Sequence, residues 1–386
     1  MSGVDIFRKG LKHLFGIFLR LPISIRRLFR RRIGTFSPGS RILVISGIGL
    51  GNTVLALPLI RLLRQRVEQG QLDGLVIDRS SEILLDITGL VDHVHLYSGS
   101  WPQKLSILLR CRKKRYDFCL MAFPTLSLPM VLLPLMVNAG YNIGHDVSPY
   151  NPFFRHFCAL FDALIPVKEG THDTRQNINL LLPLLDPERA DIALPKIRIP
   201  PEADGKAAVF LEKHGLADTR PLFVFHPGSK AGASYKRWPL ERYIELASRV
   251  KESFKGTVLF IAGPDELGML DLLRERDLPV LHSDLAVVIA MIGRSHCFVS
   301  NDSGIMHIAS LLDVPMVTIW GGTDETRNGA LAQKVINVVH PDLSCRPCVR
   351  IVPEPECGLC ECECLEGISV DRVISAIRSL LSEQKY

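Results

Sequence analysis

The sequence predicts an α/β protein built from two doubly wound domains facing one cleft. Three observations carry that expectation. Strand-length apolar runs alternate with helical runs on both sides of a Pro- and charge-rich stretch at residues 186–206, which reads as the linker. Glycine turns follow strands in both halves, at 47–51, 226–232 and 301–304. At 386 residues, 47% hydrophobic and 22% charged, the chain has the length and apolar content for two sizeable cores. The predicted division is a basic arm at 1–34, a first domain at 35–190, a second at 200–368 and a terminal helix at 369–386.

The arm comes first. It holds nine Lys/Arg against one acid, Asp5, so it carries +8 of a chain whose total is +6, and the remainder is −2. Its cations interleave with Phe7, Leu11, Leu14, Phe15, Phe18 and Leu19, which suits an amphipathic helix in a membrane interface. A plain basic tail is the alternative. Nucleic acid fits poorly, because the body offers no basic continuation. Arg20 interrupts the apolar run and no small-residue cleavage site follows, so the arm does not read as a secretory signal.

In the first domain, strands are expected at 41–46, 75–78, 94–97, 118–122 and 141–144. Helices are expected at 54–67, with Pro58 near its start, and at 103–112, 153–164 and 174–185. Residues 119–137 carry no charge over 19 positions, enough to span a bilayer. Pro124, Pro129 and Pro134 break the run, so a buried strand, a loop and a core helix fit it better. In the second domain, strands are expected at 222–225 and 258–262, and helices at 240–252, 266–276, 286–293 and 370–381.

The window 297–323 is the most informative. An apolar strand ends at Asn301-Asp302-Ser303-Gly304, a helical pattern follows, and a second strand at 314–320 ends at Gly321-Gly322-Thr323. Asp302 and Ser303 are good N-cap residues, and a helix N-terminus attracts anions. Gly304, Gly321 and Gly322 would let a ligand approach the backbone. Upstream, His226-Pro227-Gly228-Ser229 follows a strand and leads into Lys230, Lys236 and Arg237, which can neutralise a diphosphate; Pro239 suits the first helical position. Gly263-Pro264-Asp265-Glu266 ends the next strand, where an acid can accept from ribose hydroxyls; Glu266 is the choice and Asp265 the reserve. Ordinary capped helices and a solvated basic loop are the plainer alternatives. Together these pieces point to a nucleotide-sugar or diphosphate site.

Six cysteines lie within residues 345–364: Cys345, Cys348, Cys357, Cys360, Cys362 and Cys364. Two CxxC pairs can give zinc four thiolates, with Cys345, Cys348, Cys357 and Cys360 as ligands of a structural site; a reduced or partly oxidised cysteine-rich loop is the alternative.

The order of GxGNTVLALP at 49–58, HPGS at 226–229, KRWP at 236–239, GPDE at 263–266, NDSGxMHIA at 301–309 and GGT at 321–323 resembles glycosyltransferase family 9, the ADP-heptose:lipopolysaccharide heptosyltransferases. The resemblance covers about residues 40–380. It implies a GT-B fold of two Rossmann-like domains, with the donor on the second. It implies inverting transfer of heptose from ADP-heptose to the lipopolysaccharide inner core, with no cofactor required for catalysis. Together with the basic arm, this leads to the expectation of a cytoplasmic enzyme held peripherally at the inner membrane face. Residue by residue, Lys236 matches a lysine on the donor phosphates and Ser229 the hydroxyl of the phosphate loop. Asp302, Ser303 and Gly304 match diphosphate and sugar contacts, and His307 lies on the same helix.

One departure stands out. Where the family has an Asp as proposed general base, six residues before the proline, this chain has Asn52. An amide cannot take the acceptor proton at neutral pH. Another group could serve (Asp302, His226 or His145), Asn52 could orient the acceptor, or the chain could bind nucleotide sugar without transferring it. A sugar-nucleotide epimerase is the rival enzyme, and it would need no membrane arm.

Overall fold

A computed structural model of the chain describes residues 35–46, 49–123, 128–150, 154–155, 157–185, 192–217, 221–230, 232–349 and 363–382. The arm at 1–34 therefore lies outside the described residues. The chain divides into two compact units, Met1–Ile192 and Ala193–Tyr386.

In chain order the first unit contains β1 (Arg41–Ser46), α1 (Leu50–Arg66), β2 (Gln71–Val76), α2 (Arg79–Thr88), β3 (His93–Leu96) and α3 (Trp101–Lys114). There follow β4 (Phe118–Ala122), α4 (Leu128–Val137), β5 (Tyr141–Asp146), β6 (Ala163–Pro166) and α5 (Asp173–Asn179). Its six strands are parallel in the order β3-β2-β1-β4-β5-β6. Both faces are covered by helices, so the central strands read as unbroken apolar runs; Ile42 to Ile45 are all fully buried.

The second unit contains α6 (Pro201–Lys213), β7 (Leu222–His226), α7 (Leu240–Phe254), β8 (Thr257–Ile261), α8 (Leu267–Glu275), β9 (Val280–Leu281) and α9 (Leu285–Gly293). It continues with β10 (Cys297–Asn301), α10 (Gly304–Leu311), β11 (Met316–Trp320), α11 (Glu325–Asn328), β12 (Val335–Val339), α12 (Glu363–Glu366) and α13 (Val370–Ser382). The order β12-β11-β10-β7-β8-β9 repeats the plan of the first sheet. The terminal helix α13 lays Val373, Ile374, Ile377 and Leu380 into the core of this unit with Phe225, Tyr243 and Trp238.

Several expectations need correction. No helix spans 153–164: a 3₁₀ turn at Cys158–Leu160 leads into the edge strand β6. The Asp162 carboxylate accepts from the Asn142 N–H at 2.7 Å and its own N–H donates to Asn142 O at 2.7 Å, which starts the pairing with β5. Pro166 is tolerated because β6 is an edge. The linker ends sooner than 206, since Pro201 opens α6 with Glu202 and Asp204 in its first turn. Helix α1 starts at Leu50 behind Gly49, whose φ of 116° few side chains tolerate, and Pro58 lies inside it. Helix α2 was hidden by its polar start, where the Asp78 carboxylate accepts from Ser81 N–H at 2.9 Å. Residues 119–137 form β4 and α4 at their described positions, and among the described residues no helix is long and apolar enough to cross a membrane.

Strand β2 begins four residues before its expected start because Asp73 is buried, not exposed. Its carboxylate accepts from Tyr116 Oη, from Lys114 Nζ at 3.0 Å and from Gln71 Nε2 at 3.2 Å, with His95 Nε2 at 3.4 Å. Burial alone would raise the Asp73 pKa, but the bonds from His95, Tyr116 and Lys114 outweigh it and hold the carboxyl well below the usual range. A depressed folded pKa means stabilisation that is present above the unfolded value of about 3.9 and lost as pH falls towards the folded one. Asp73→Asn is therefore expected to lower the urea midpoint at pH 7, by about 1–3 kcal/mol of stability, with a smaller deficit at pH 3. An equal deficit at both pH values would sink the charge-based account.

Candidate active site

In both sheets, strand order reverses beside the first strand, and ligands of such sheets bind at the strand C-terminal ends beside that switch. In the second unit the switch lies between β7 and β10, which end at His226 and Asn301. The HPGS and NDSG segments therefore leave the sheet side by side.

Asn301 joins them. Its Oδ1 accepts from the Trp238 N–H at 3.1 Å and from Tyr243 Oη at 3.0 Å. Its Nδ2 donates to Pro227 O at 2.7 Å and Gly228 O at 3.3 Å. One fully buried amide thus ties the loop after β7, the loop before α7 and the end of β10. Its motif was visible in the sequence, but its partners lie 58 to 74 residues away, so its role was not.

The Lys236 loop, fixed in this way, delivers its ammonium to the Asp302 carboxylate at 2.6 Å. Asp302 is buried and Lys236 keeps about a fifth of its side chain in solvent. The next residue, Ser303, caps α10 by accepting from the Met306 N–H at 3.3 Å. Of the two expected caps, only Ser303 does that work; Asp302 holds the lysine. The site therefore combines a cation, a helix N-terminus beginning at Gly304 and a carboxylate that fixes the cation. His307 lies buried one turn into α10.

Behind Ser303 sits His226, also buried. Its Nδ1 is 3.2 Å from Ser303 Oγ and 3.4 Å from Ser300 Oγ, and its Nε2 is 3.8 Å from Glu266 Oε2. Glu266 also accepts from the Gly263 N–H. Burial pushes the Glu266 pKa up, but His226, the Gly263 N–H and Arg237 together bring it below its ordinary value. The Glu266 carboxyl lies against the Gly228 Cα so closely that a Cβ there would meet Oε1 at 2.2 Å. Gly228 is thus required by the protein's own carboxylate.

Other expected contacts are taken up internally. Ser229 Oγ donates to Ala233 O at 3.0 Å and accepts from Arg237 Nε at 3.0 Å, while Arg237 Nη2 donates to Ser229 O at 2.6 Å. Ser229 and Arg237 thus build the loop through bonds to each other and to its backbone. Gly321 and Gly322 were expected to admit a ligand. On the side where a Cβ would stand, Gly321 faces Tyr235 O and Gly322 faces Cys348 Sγ. The turn is further held by Arg346, which the sequence reading missed: its guanidinium donates to Gly321 O, to Thr323 O at 3.1 Å and to Glu325 at 2.9 Å.

Of the proposed zinc ligands, Cys345 is exposed and Cys348 packs on Gly322, while Cys357 and Cys360 lie outside the described residues. Cys364 is part of the core. No group of three metal-binding side chains occurs among the described residues.

In the first unit, Asn52 stands in the first turn of α1, at the switch between β1 and β4. A hydroxyl relay fixes that turn: Ser46 donates to Thr53 at 3.0 Å, Thr53 to Ser81 at 2.9 Å, and Ser81 to Asp78 at 2.8 Å. His145 is buried with its Nε2 3.4 Å from Asn177 Oδ1.

Asn301→Ala would leave at least two buried polar groups unpaired, at about 1–3 kcal/mol each, and should lower the denaturation midpoint accordingly. Glu266→Gln should destabilise at pH 7. Because the folded pKa of Glu266 is depressed, that deficit is expected to shrink below the unfolded value of about 4.3, which urea titrations at pH 7 and pH 3 check.

Residues 109–357 match the family described as glycosyltransferase family 9 (heptosyltransferase). Over 365 residues the chain is 26% identical to lipopolysaccharide heptosyltransferase 2 of Salmonella typhimurium, covering 89% of this chain and 99% of the relative. It is 23% identical to lipooligosaccharide heptosyltransferase 2 of Haemophilus ducreyi, with the same coverage. Among solved structures, the ADP-heptose lipopolysaccharide heptosyltransferase II of E. coli matches with a TM-score of 0.68 at 20% identity, covering 90% of this chain and all of that one. A family 9 glycosyl transferase from Veillonella parvula matches with a TM-score of 0.70 at 21% identity, covering 91% and 99%. These neighbours share the GT-B plan of two Rossmann-like sheets. With the match spanning well over half of its length, the chain belongs to glycosyltransferase family 9 and is a glycosyltransferase.

Proposed function

We propose that the chain moves heptose, or a related sugar, from ADP-heptose to the lipopolysaccharide inner core with inversion. The observation that carries this reading is the Lys236–Asp302 pair beside the Ser303-capped N-terminus of α10. In an inverting transfer the acceptor hydroxyl attacks the anomeric carbon, the bond from that carbon to the diphosphate oxygen breaks, and negative charge grows on the leaving diphosphate. A fixed ammonium and a helix N-terminus meet that charge where it develops. Asp302 keeps the lysine in place. Glu266, held ionised, suits acceptance from ribose hydroxyls. The names of the full-length relatives, both heptosyltransferases of lipopolysaccharide or lipooligosaccharide, support the donor and acceptor assignment.

The acceptor must also lose a proton. His226 and His145 are held inside the fold by Ser303, Glu266 and Asn177, and Asp302 is committed to Lys236. In our reading Asn52 orients the acceptor hydroxyl, the proton passes to solvent, and leaving-group stabilisation carries most of the rate. The basic arm at 1–34 would hold the enzyme peripherally at the cytoplasmic face of the inner membrane, near a lipid-linked acceptor. A structural zinc on Cys345, Cys348, Cys357 and Cys360 would brace the loop beside the Gly321–Thr323 turn and take no part in transfer; metal content of the reduced chain tests it.

With ADP-heptose and heptose-deficient lipopolysaccharide, the protein should release ADP and add one heptose mass to the acceptor. Lys236→Ala should lower kcat by about 10²–10³-fold. Activity that appears only in Asn52→Asp would make the natural chain a silent binder and overturn the reading.

A further inference from the structure

Helix α3 carries an exposed face that holds none of the residues assigned to the transfer reaction. Its buried side, Ile107, Leu108 and Cys111, packs with Met130, Leu133 and Val137 of α4 against the first sheet. Its other side leaves Trp101, Leu105 and Leu109 at successive four-residue steps, 74%, 49% and 50% exposed. Three large apolar groups in line on one exposed helix face form a patch rather than scattered exposure.

The charges around this stripe are all of one sign. Helix α3 contains Lys104, Arg110, Arg112, Lys113 and Lys114 and no acid, and Arg115 caps it. Lys114 is held by Asp73, and Lys104 Nζ lies over the Tyr97 ring at 5.6 Å. Arg110, Arg112 and Lys113 point to solvent beside the stripe. The neighbouring helix α4 has no charged residue. Asp117, the single acid between residues 98 and 138, is engaged by the Arg41 N–H at 2.8 Å.

We propose that α3 is a docking face for the surface of an anionic phospholipid bilayer. A tryptophan, two leucines and three arginine or lysine heads on one side of a helix match an interface that is apolar below and negative above. The long side chains of Arg112 and Lys113 can keep their heads at phosphate level while Leu105 and Leu109 enter the acyl boundary. A protein partner would need a strongly acidic, apolar surface, whereas a bilayer offers both properties at once. This surface is built from residues of the first unit and shares none with the arm at 1–34 or with the donor-site residues named above, so it would place a membrane contact on the first unit itself. The inference does not depend on which sugar is transferred.

The chain supplies its own probe. It has three tryptophans; Trp238 and Trp320 are at most 1% exposed, so changes at an exposed indole report Trp101. The full-length protein would be titrated with phosphatidylglycerol vesicles and with phosphatidylcholine vesicles, each containing lipids brominated on the acyl chains. Blue-shifted emission and bromine quenching are expected with phosphatidylglycerol alone. Both should vanish in Trp101→Phe and weaken in Leu105→Ser/Leu109→Ser, whose circular dichroism should match the natural chain. Removing Arg110, Arg112 or Lys113 as glutamine should weaken the quenching titration by about five-fold per residue. Vesicle binding without Trp101 quenching would assign attachment to the arm alone and overturn the proposal. Equal quenching with both lipids would overturn it too. A concentration-dependent blue shift without lipid would show instead that a second copy covers the face. None of these readings uses a sugar donor, so failure here leaves the transferase reading untouched, and the reverse also holds.

Discussion

The second unit is organised around a single buried side-chain amide. Asn301 ends the central strand of its sheet and uses both halves of its amide on segments that are remote in sequence. A buried polar network is stabilising only when every member is paired, and here each atom of the amide has a partner. The loop bearing Lys236, the loop bearing Gly228 and the start of α10 are thereby set as one piece. Precision in the placement of the Lys236 ammonium follows from this. Lys236 is a long, flexible side chain, and without a fixed loop and the Asp302 carboxylate its ammonium would sample many positions.

A second theme is that small residues in the site make room for the protein itself. Gly228 is pressed by Glu266, Gly321 by a backbone carbonyl and Gly322 by the Cys348 sulfur. These contacts shape the cradle from behind. In the proposed reaction the ligand is met by the Lys236 ammonium and the N–H groups at the start of α10. Ser229 and Arg237 belong to the same supporting shell, since their hydrogen bonds are made to each other and to their own loop.

Much of this was legible in the sequence, and the reason is locality. The alternation of apolar strands and helices, the Ser303 cap and the Lys236 and Glu266 positions are all signalled within a few residues. What was not legible depends on distant partners. Strand β2 was expected only from residue 75 because Tyr116 and Lys114, which make the burial of Asp73 tolerable, lie 43 and 41 residues on. The helix expected over 153–164 ran into the start of β6 because the pairing of Asp162 with Asn142 that begins this strand spans 20 residues. Asn301 and Arg346 act through bonds of the same kind. The bond between Ser229 and Arg237 was not legible for a different reason: a hydroxyl in a glycine loop gives no sequence sign that an arginine eight residues later will donate to it.

The Trp238 indole N–H donates to the carbonyl of Ile368 at 3.0 Å, and Arg242 reaches the same oxygen. The loop that carries Lys236 is thus latched by a residue from the last strip of the chain, 130 positions further on. During synthesis, domains fold as their residues emerge. For this one, the sheet, α10 and the bond from the Trp238 N–H to Asn301 can assemble while the ribosome is still at work, but the lysine loop lacks its Ile368 latch until that region is out and α13 has packed. The loop that carries Lys236 is therefore among the last parts of the second unit to be completed, and a nascent or prematurely terminated chain carries the motif without the finished loop.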